Sequence, residues 1–66
     1  MEYLVKVSFS LFNTAYVQYI NWNSGDILYT KNKNQAGCFE SYSRACEIAD
    51  WLEREGMVAS AEVIEA

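Results

Sequence analysis

The segment from Ser41 to Gly56 constrains the fold most, because its hydrophobic pattern, its start and its end all indicate one helix. Its apolar residues recur at i, i+3, i+4 and i+7, which is typical of an amphipathic helix with one buried face. A hydroxyl from Ser41 or Ser43 can cap the start, and Gly56 can end the helix in the left-handed conformation. The predicted buried stripe consists of Ala45, Ile48, Ala49 and Leu52.

Trp51 does not belong to this apolar stripe. Helical spacing places it on the polar side of the helix, with Arg44, Glu47 and Glu55. One interpretation is an exposed aromatic side chain that lies over a sheet edge or over the aliphatic stem of Arg44. The other is a binding anchor, since tryptophan is enriched among residues whose truncation weakens an interface most. On the second interpretation, the partner-binding residues are Trp51, Glu47, Asp50, Arg44 and Glu55.

The N-terminal third of the chain is predicted to form a β-hairpin. From Tyr3 to Leu11 every second residue is apolar, as in a strand with one buried face. A polar break at Asn13 and Thr14 precedes a second run, residues 15–22, that is rich in β-branched and aromatic residues. This run is apolar on both faces, so the second face needs a cover, which a partner, the following loop or solvent could provide. The residues predicted for self-association are Tyr16, Ile20 and Trp22.

The rest of the chain completes a small α+β domain. Residues 27–30 are predicted to form a third strand. Residues 57–64 are predicted to form a last strand, with Met57, Ala59, Ala61 and Val63 facing the core. The expected fold is therefore a single domain, residues 1–66, in which an antiparallel β-β-β-α-β meander carries one amphipathic helix on one face of the sheet. Proline is absent, so an exposed edge strand could pair with a second copy or with a partner's strand.

The length of 66 residues limits both the core and any pocket. So short a chain has a small core and little room for a deep active site. Oligomerisation is a common remedy for a small core, and a hydrophobic content of 52% is compatible with a homodimer. No apolar run approaches the roughly 18 residues that cross a membrane, and residues 1–12 alternate rather than form a signal region. We therefore expect a soluble cytoplasmic protein without a membrane partner.

The net charge of −4 is unevenly distributed. Residues 40–66 contain seven acidic residues and only two basic ones, Arg44 and Arg54. Proteins that bind a phosphate backbone do so through a basic surface, which this half of the chain lacks. The distribution argues against direct nucleic-acid binding and is compatible with a basic surface on a partner protein.

The sequence contains no recognisable catalytic or metal-binding motif. Histidine is absent, which excludes imidazole acid–base catalysis, Ser–His and Cys–His nucleophiles, and histidine metal ligands. The helix carboxylates, such as Glu47 and Asp50, fit a solvated helix face better than a glycosidase pair, which needs a cleft. Cys38 and Cys46 lack metal-site spacing, and we expect both thiols to be reduced and mostly structural. We therefore expect no enzymatic activity, no cofactor and no metal.

A pattern of core residues extends over residues 27–65. It consists of Tyr29-Thr30, Ala36, Phe39, Tyr42-Ser-Arg-Ala45, Ile48-Ala49, Leu52, Gly56 and Ala61-Glu62-Val63-Ile64. This pattern resembles small uncharacterised proteins encoded in bacteriophage genomes and prophages, a group that includes anti-CRISPR and other counter-defence factors. The resemblance carries over no catalytic residue. It implies a cytoplasmic protein of a bacterial host that binds a host protein or a protein–nucleic-acid complex.

The residues and the resemblance support one leading hypothesis and two alternatives. The leading hypothesis is a non-enzymatic inhibitor of a host defence or nucleic-acid-processing machine that acts through the acidic, Trp-bearing helix face. The first alternative is a homo-oligomeric structural or assembly module held by the predicted self-association residues or by an edge strand. The second is a sponge that sequesters a small signalling nucleotide between aromatic residues of two protomers. The basic residues that could contact its phosphates are Lys6, Lys31, Lys33, Arg44 and Arg54.

Overall fold

Four antiparallel strands and one helix make up the computed structural model, which describes residues 1–66. The strands are β1 (Tyr3–Ser10), β2 (Asn13–Asn21), β3 (Asp26–Thr30) and β4 (Ser60–Glu65), and the helix is α1 (Tyr42–Arg54). They form a single sheet in the order β3-β2-β1-β4, with α1 on one face. The predicted α+β fold, with its β-β-β-α-β order, is confirmed. Helix α1 is neither long enough nor apolar enough to cross a membrane.

Helix α1 has the caps that the sequence predicts. Ser41 is the N-terminal cap, and its Oγ accepts a hydrogen bond from the backbone N–H of Arg44 at 3.2 Å. At the other end Gly56 has a φ of +72°, and the N–H of Met57 donates to the carbonyl of Leu52 at 3.1 Å. This combination is a Schellman motif, which stops the helix and turns the chain toward β4. The buried residues of α1 are those predicted: Ala45, Ile48, Ala49 and Leu52.

The core lies between α1 and the inner face of the sheet. Strands β1 and β2 supply most of its sheet side, because their inward side chains are β-branched or small. The buried cluster consists of Val5, Val7, Ala15, Val17, Ile20, Ala45, Ile48, Ala49, Leu52 and Val58. The small Ala45 and Ala49 let the helix axis approach the sheet closely.

A β-bulge in β2 interrupts the simple alternation predicted for this strand. Val17 pairs with Tyr29 of β3, but the next pair joins Tyr19 to Leu28, so Gln18 is an extra residue on β2. Such a bulge shifts the phase of the side chains that follow it by one residue. The inward positions of β2 therefore skip from residue 17 to residue 20.

The bulge separates the residues predicted for self-association. Ile20 is only 8% exposed and belongs to the core, whereas Tyr16 lies on the outer face of the sheet, half-buried. Trp22 follows Ile20 on the helix side of the sheet. The predicted strand has apolar side chains at both odd and even positions because the bulge moves its inward positions from odd to even residue numbers. These side chains therefore do not require a second covering layer along the whole strand.

The β1–β2 hairpin turns at Leu11 and Phe12, before the polar break that the sequence predicts. Ser10 pairs with Asn13 across this turn, and the register is irregular between Ser8 and Ser10. The irregularity ends the alternation of β1 early, so Leu11 does not continue its buried face. Leu11 is 83% exposed and Phe12 is 92% exposed.

The predicted last strand begins later than expected. The residues directly after the helix belong to its Schellman motif and to a bend, so Val58 enters the core in place of Met57 and Ala59. Met57 and Ala59 are exposed. Further along, Ala61 and Val63 pack against the core as predicted.

The segment between β3 and α1 packs against the outer face of the sheet. There the N–H of Gly37 donates to the carbonyl of Val17 at 3.0 Å. A Cβ atom on Gly37 would lie 2.5 Å from the backbone oxygen of Gln18, so only glycine allows this approach. The same segment lies beside Leu4, an outward side chain of β1 that is buried. The loop thus covers part of the outer face, as one of the sequence interpretations proposes.

Candidate functional site

An open depression of about 410 Å³ lies between α1 and the turn that joins β2 to β3. Its lining consists of Trp22, Arg44, Glu47, Ile48, Asp50, Trp51 and Arg54. Six of these residues come from α1, at spacings of three and four residues that place them on one side of the helix. Buried Ile48 connects the depression to the core. Helical periodicity therefore builds most of the site, and the turn adds Trp22.

Trp22 and Trp51 form an aromatic pair in this depression. Their ring centroids are 5.3 Å apart and their planes are inclined by 36°. Trp22 is 56% exposed, while Trp51 is half-buried and packs against the core. The position of Trp51 on the polar side of the helix is thus explained by a contact with the turn. More than half of the Trp22 side chain nevertheless stays accessible.

The β2–β3 turn holds Trp22 in position through its backbone. The carbonyl of Asn21 accepts a hydrogen bond from the N–H of Gly25 at 2.7 Å, and Oδ1 of Asn21 accepts one from the N–H of Asn23 at 3.0 Å. Gly25 has a φ of +80°, a conformation that residues with a Cβ atom rarely adopt. The turn is therefore ordered by its own hydrogen bonds, and Trp22 is presented from a fixed backbone.

Arg44 links Trp22 to the polar face of α1. Its Cζ lies 5.1 Å from the centroid of the Trp22 ring, which is within the range of a cation–π interaction. Its Nη1 also donates to Oε2 of Glu47 at 3.3 Å. Both side chains are more than half exposed, so this ion pair by itself stabilises the protein little. Its main effect is to keep the guanidinium against the indole.

The charges in the depression are balanced. Two arginines, Arg44 and Arg54, stand beside two acids, Glu47 and Asp50. The Arg44–Glu47 contact is the one ion pair in the structure. Asp50 and Arg54 have the i, i+4 spacing that favours an ion pair but do not form one, so both can bind groups from another molecule. The helix face that the sequence predicts to be acidic therefore carries equal numbers of positive and negative side chains within the depression.

Most of the residues predicted to bind a partner meet in this depression. Glu55 is the exception, because it is the C-terminal cap of α1 and is not part of the lining. Within the self-association set, only Trp22 reaches the depression. The predicted residues that line it are Trp51, Glu47, Asp50 and Arg44.

Sequence reasoning missed three features of the site. Ile48 and Arg54 lie three residues before and after Trp51, so helical spacing from the tryptophan could have identified both. The pairing of Trp22 with Trp51 had no such signal, because it depends on the bulge in β2. The arrangement provides an aromatic anchor with hydrogen-bond donors and acceptors at its rim, as in the centre of many protein interfaces.

Comparison with known proteins assigns no role to these residues. No family model, curated protein or solved structure matches the chain. The resemblance to phage-encoded proteins therefore stays a prediction, and so does the function that it implies. The functional proposal depends on the geometry and charge of the site.

Proposed function

We propose that this chain is a non-enzymatic binding protein that engages a macromolecular partner through the Trp22–Trp51 depression. The observation that carries this proposal is that both tryptophans of the chain meet in one exposed site. Tryptophan is the residue type most enriched in binding hot spots, and a pair offers a larger rigid apolar surface than a single ring. Arg44 and Glu47 reduce the ordering cost of binding because they hold one side of the site before the partner arrives.

The charge around the depression favours a basic partner. The centre of the site is balanced, but residues 40–66 as a whole contain seven acidic residues and only two basic ones, Arg44 and Arg54. At long range, therefore, the net charge of −4 steers association toward positive surfaces. A nucleic-acid-processing enzyme has such a surface in its substrate channel. Occupation of that channel would inhibit the enzyme by excluding nucleic acid, which is the inhibitor role that the phage resemblance implies.

Trp51→Ala is the variant that tests this proposal most directly. Tagged wild-type protein, Trp51→Ala and the control Tyr19→Ala are used to retain proteins from a bacterial lysate. Tyr19 is a suitable control because it is 61% exposed and lies away from the depression. We expect a nucleic-acid-processing protein to be retained by the wild type and by Tyr19→Ala, and to be lost with Trp51→Ala.

Purified partner then distinguishes inhibition from simple association. We expect saturating wild-type protein to prevent the partner from binding nucleic acid, and charge reversal at Glu47 and Asp50 to abolish this effect while the fold survives. A partner that still binds nucleic acid in the saturated complex would contradict the inhibitor role. Equal retention by all three proteins would contradict the Trp site itself.

A second candidate function is sequestration of a small anionic ligand with an aromatic ring, such as a nucleotide. Both tryptophans and both arginines of the chain border one depression, and its volume lies within the range of roughly 300–1,000 Å³ usual for small-molecule sites. The stacking surfaces here come from one protomer rather than from two. Glu47 and Asp50 on the same rim oppose an anion, which is why we rank this function second.

Tryptophan fluorescence separates the two functions, because both indoles lie in the site. A nucleotide ligand should change the emission of the wild type in a saturable titration, and Arg54→Gln should weaken this response. Unchanged emission at millimolar nucleotide would remove the ligand hypothesis and leave the macromolecular one intact.

A further inference from the structure

The sheet has two edge strands, β3 and β4, and only β4 is protected against the addition of another strand. On β4, the N–H of Ala61 donates a hydrogen bond to Oε2 of Glu53 at 2.7 Å. This carboxylate from α1 occupies a backbone donor of the edge strand. Strand β4 also carries Glu62 and Glu65, and charged side chains on an edge oppose strand addition. The outer edge of β4 is therefore closed to a second strand.

Strand β3 has none of these protections. The backbone groups of residues 27–30 form no hydrogen bonds other than those of the ladder with β2. The same residues include no proline and no charged side chain, and the extra residue of the bulge belongs to β2. With five residues the strand has an ordinary length, so it is not shortened as protected edges often are. One side of β3 therefore presents free backbone donors and acceptors.

The side chains of β3 leave apolar surface on both faces of the sheet. Leu28 is 55% exposed on the outer face, beside Tyr19 of β2. Ile27 and Tyr29 lie on the inner face but are only half-buried, because α1 packs mainly on β1 and β4. Apolar and aromatic side chains of this kind stabilise a sheet when they pair across adjacent strands. Strand β3 thus combines unpaired backbone groups with incompletely covered apolar side chains.

We propose that β3 pairs antiparallel with β3 of a second copy of this chain, about a two-fold axis at Leu28. The register follows from the length of the strand, because all five residues are paired only when the middle residue faces its own equivalent. Leu28 then faces Leu28 of the second copy on the outer face, and Ile27 faces Tyr29 on the inner face. The result is a continuous sheet of eight strands.

The charges at the ends of β3 agree with this register. Asp26 faces Thr30 of the second copy, so the two aspartates do not meet. Lys31 follows the strand, but its ammonium group donates to Asn13 and Thr14 of β2, on the side away from the free edge. No like charges therefore face each other across the axis.

A second copy fits this edge better than an unrelated strand. The two-fold axis makes every contact of the edge twice, and in this register each apolar side chain of β3 meets an apolar side chain of the other copy. Closure of β4 by Glu53 also stops the assembly at two copies, because further growth would have to use β4. None of residues 26–30 lines the Trp22–Trp51 depression, so this proposal does not depend on the proposed function.

Sedimentation equilibrium of the 66-residue chain tests the proposal. One short strand from each copy makes a small interface, so we expect a reversible monomer–dimer equilibrium with a dissociation constant of roughly 1–100 μM. Leu28→Lys should raise this constant at least about tenfold, because two ammonium groups would meet at the axis. The matched control is Leu11→Lys, the same substitution at a position of the β1–β2 turn that is 83% exposed, and it should leave the constant unchanged. Amide NMR spectra check that both variants keep the fold.

Disulfide formation provides a second measurement, which reports the register. In a background with Cys38→Ser and Cys46→Ser, Leu28→Cys should oxidise to a covalent dimer, since directly opposed residues of an antiparallel pair have the Cα separation of a disulfide. Asp26→Cys is the matched control on the same face of the same strand. Its two copies would lie about 13 Å apart along the strand at a rise of roughly 3.3 Å per residue, so it should stay monomeric.

Four results would overturn the proposal. They are a strict monomer at millimolar concentration, assemblies larger than a dimer, a dimer that Leu28→Lys leaves intact, or equal disulfide formation at positions 26 and 28.

Discussion

The indoles of Trp22 and Trp51 lie 5.3 Å apart, centroid to centroid, although one belongs to a turn of the sheet and the other to the polar side of the helix. This contact docks the end of the β2–β3 hairpin onto α1 outside the buried core. The same two rings provide the accessible apolar surface of the candidate site. Binding and the attachment of the hairpin to the helix therefore share one pair of side chains.

Replacement of either tryptophan by phenylalanine should remove a specific optical signal. Two indoles at this distance and a mutual inclination of 36° couple their electronic transitions, which produces a paired positive and negative band in far-UV circular dichroism. We expect this band pair in the wild type and its loss in both Trp22→Phe and Trp51→Phe. Amide NMR spectra check that each variant keeps its fold. A band pair that persists in one single variant would show that the rings are not coupled.

Replacement of Ile20 by alanine should destabilise the protein as a core substitution does. Ile20 is buried only because the bulge at Gln18 shifts the phase of β2. We expect the free energy of unfolding, measured with urea, to fall by about 2–4 kcal/mol. Tyr19→Ala, at the neighbouring exposed position, should change it by no more than about 0.5 kcal/mol. The reverse order of these two effects would mean that β2 has no bulge.

Replacement of Gly37 by alanine should also destabilise the fold. The added Cβ would meet the backbone oxygen of Gln18, which cannot move without disturbing the bulge. We expect a loss of about 1–3 kcal/mol in the free energy of unfolding. Ser43→Ala is the control, because Ser43 is exposed on α1 and alanine is favoured within a helix, so this variant should lose no stability. A neutral Gly37→Ala would show that the loop does not approach β2 so closely.

Alkaline pH should reveal the partial burial of Tyr29. Burial raises the pKa of Tyr29 above its ordinary value of about 10, so the folded state keeps a proton that the unfolded state has released. The stabilisation from the protonated Tyr29 is therefore fully present below the ordinary pKa of about 10. The free energy of unfolding decreases as the pH rises above about 10. Tyr29→Phe should make that decrease smaller in urea unfolding measured from pH 8 to pH 11, the range that spans this value.

The pKa values of two other groups are also raised, and the comparison of Tyr29→Phe with the wild type must account for them. The pKa of Tyr42 is raised, first by its hydrogen bond with Cys46, and that of Cys38 is raised, first by its hydrogen bond with Glu2. Both remain in Tyr29→Phe, so only the difference from the wild type reports on Tyr29. An identical pH dependence in wild type and variant would contradict the burial of this hydroxyl.

The sequence predicts the helix and the order of the elements because their signals are local. A capping serine, a period of 3.6 residues and a terminal glycine all lie within Ser41–Gly56, and each acts on its own neighbours. The bulge at Gln18 and the turn at Leu11 and Phe12 have no comparable local signal. The bulge lies beside Gly37. Gln18 and Gly37 are far apart in the sequence, so no periodic pattern within one segment predicts their contact.

The candidate site also combines residues that have a local sequence signal with one that has none. Its helical residues follow from their spacing on α1, so Arg44, Glu47, Asp50 and Trp51 could be named from the sequence. Strict alternation predicts that Trp22 shares a face with Tyr16, which is a different surface. A tertiary contact decides which face it occupies, and residue types alone do not encode that contact.

The extra residue in β2 has a consequence for which changes of length this site tolerates. Deletion of the single codon for Gln18 would restore regular alternation and leave Val17 and Ile20 on the inner face and Tyr19 on the outer one, as they are now. Retention of all the residues with Gln18 paired in the ladder would instead turn Ile20 and Trp22 to the outer face, and the two tryptophans would no longer meet. The meeting of the tryptophans therefore depends on position 18 staying out of the ladder and not on the glutamine side chain.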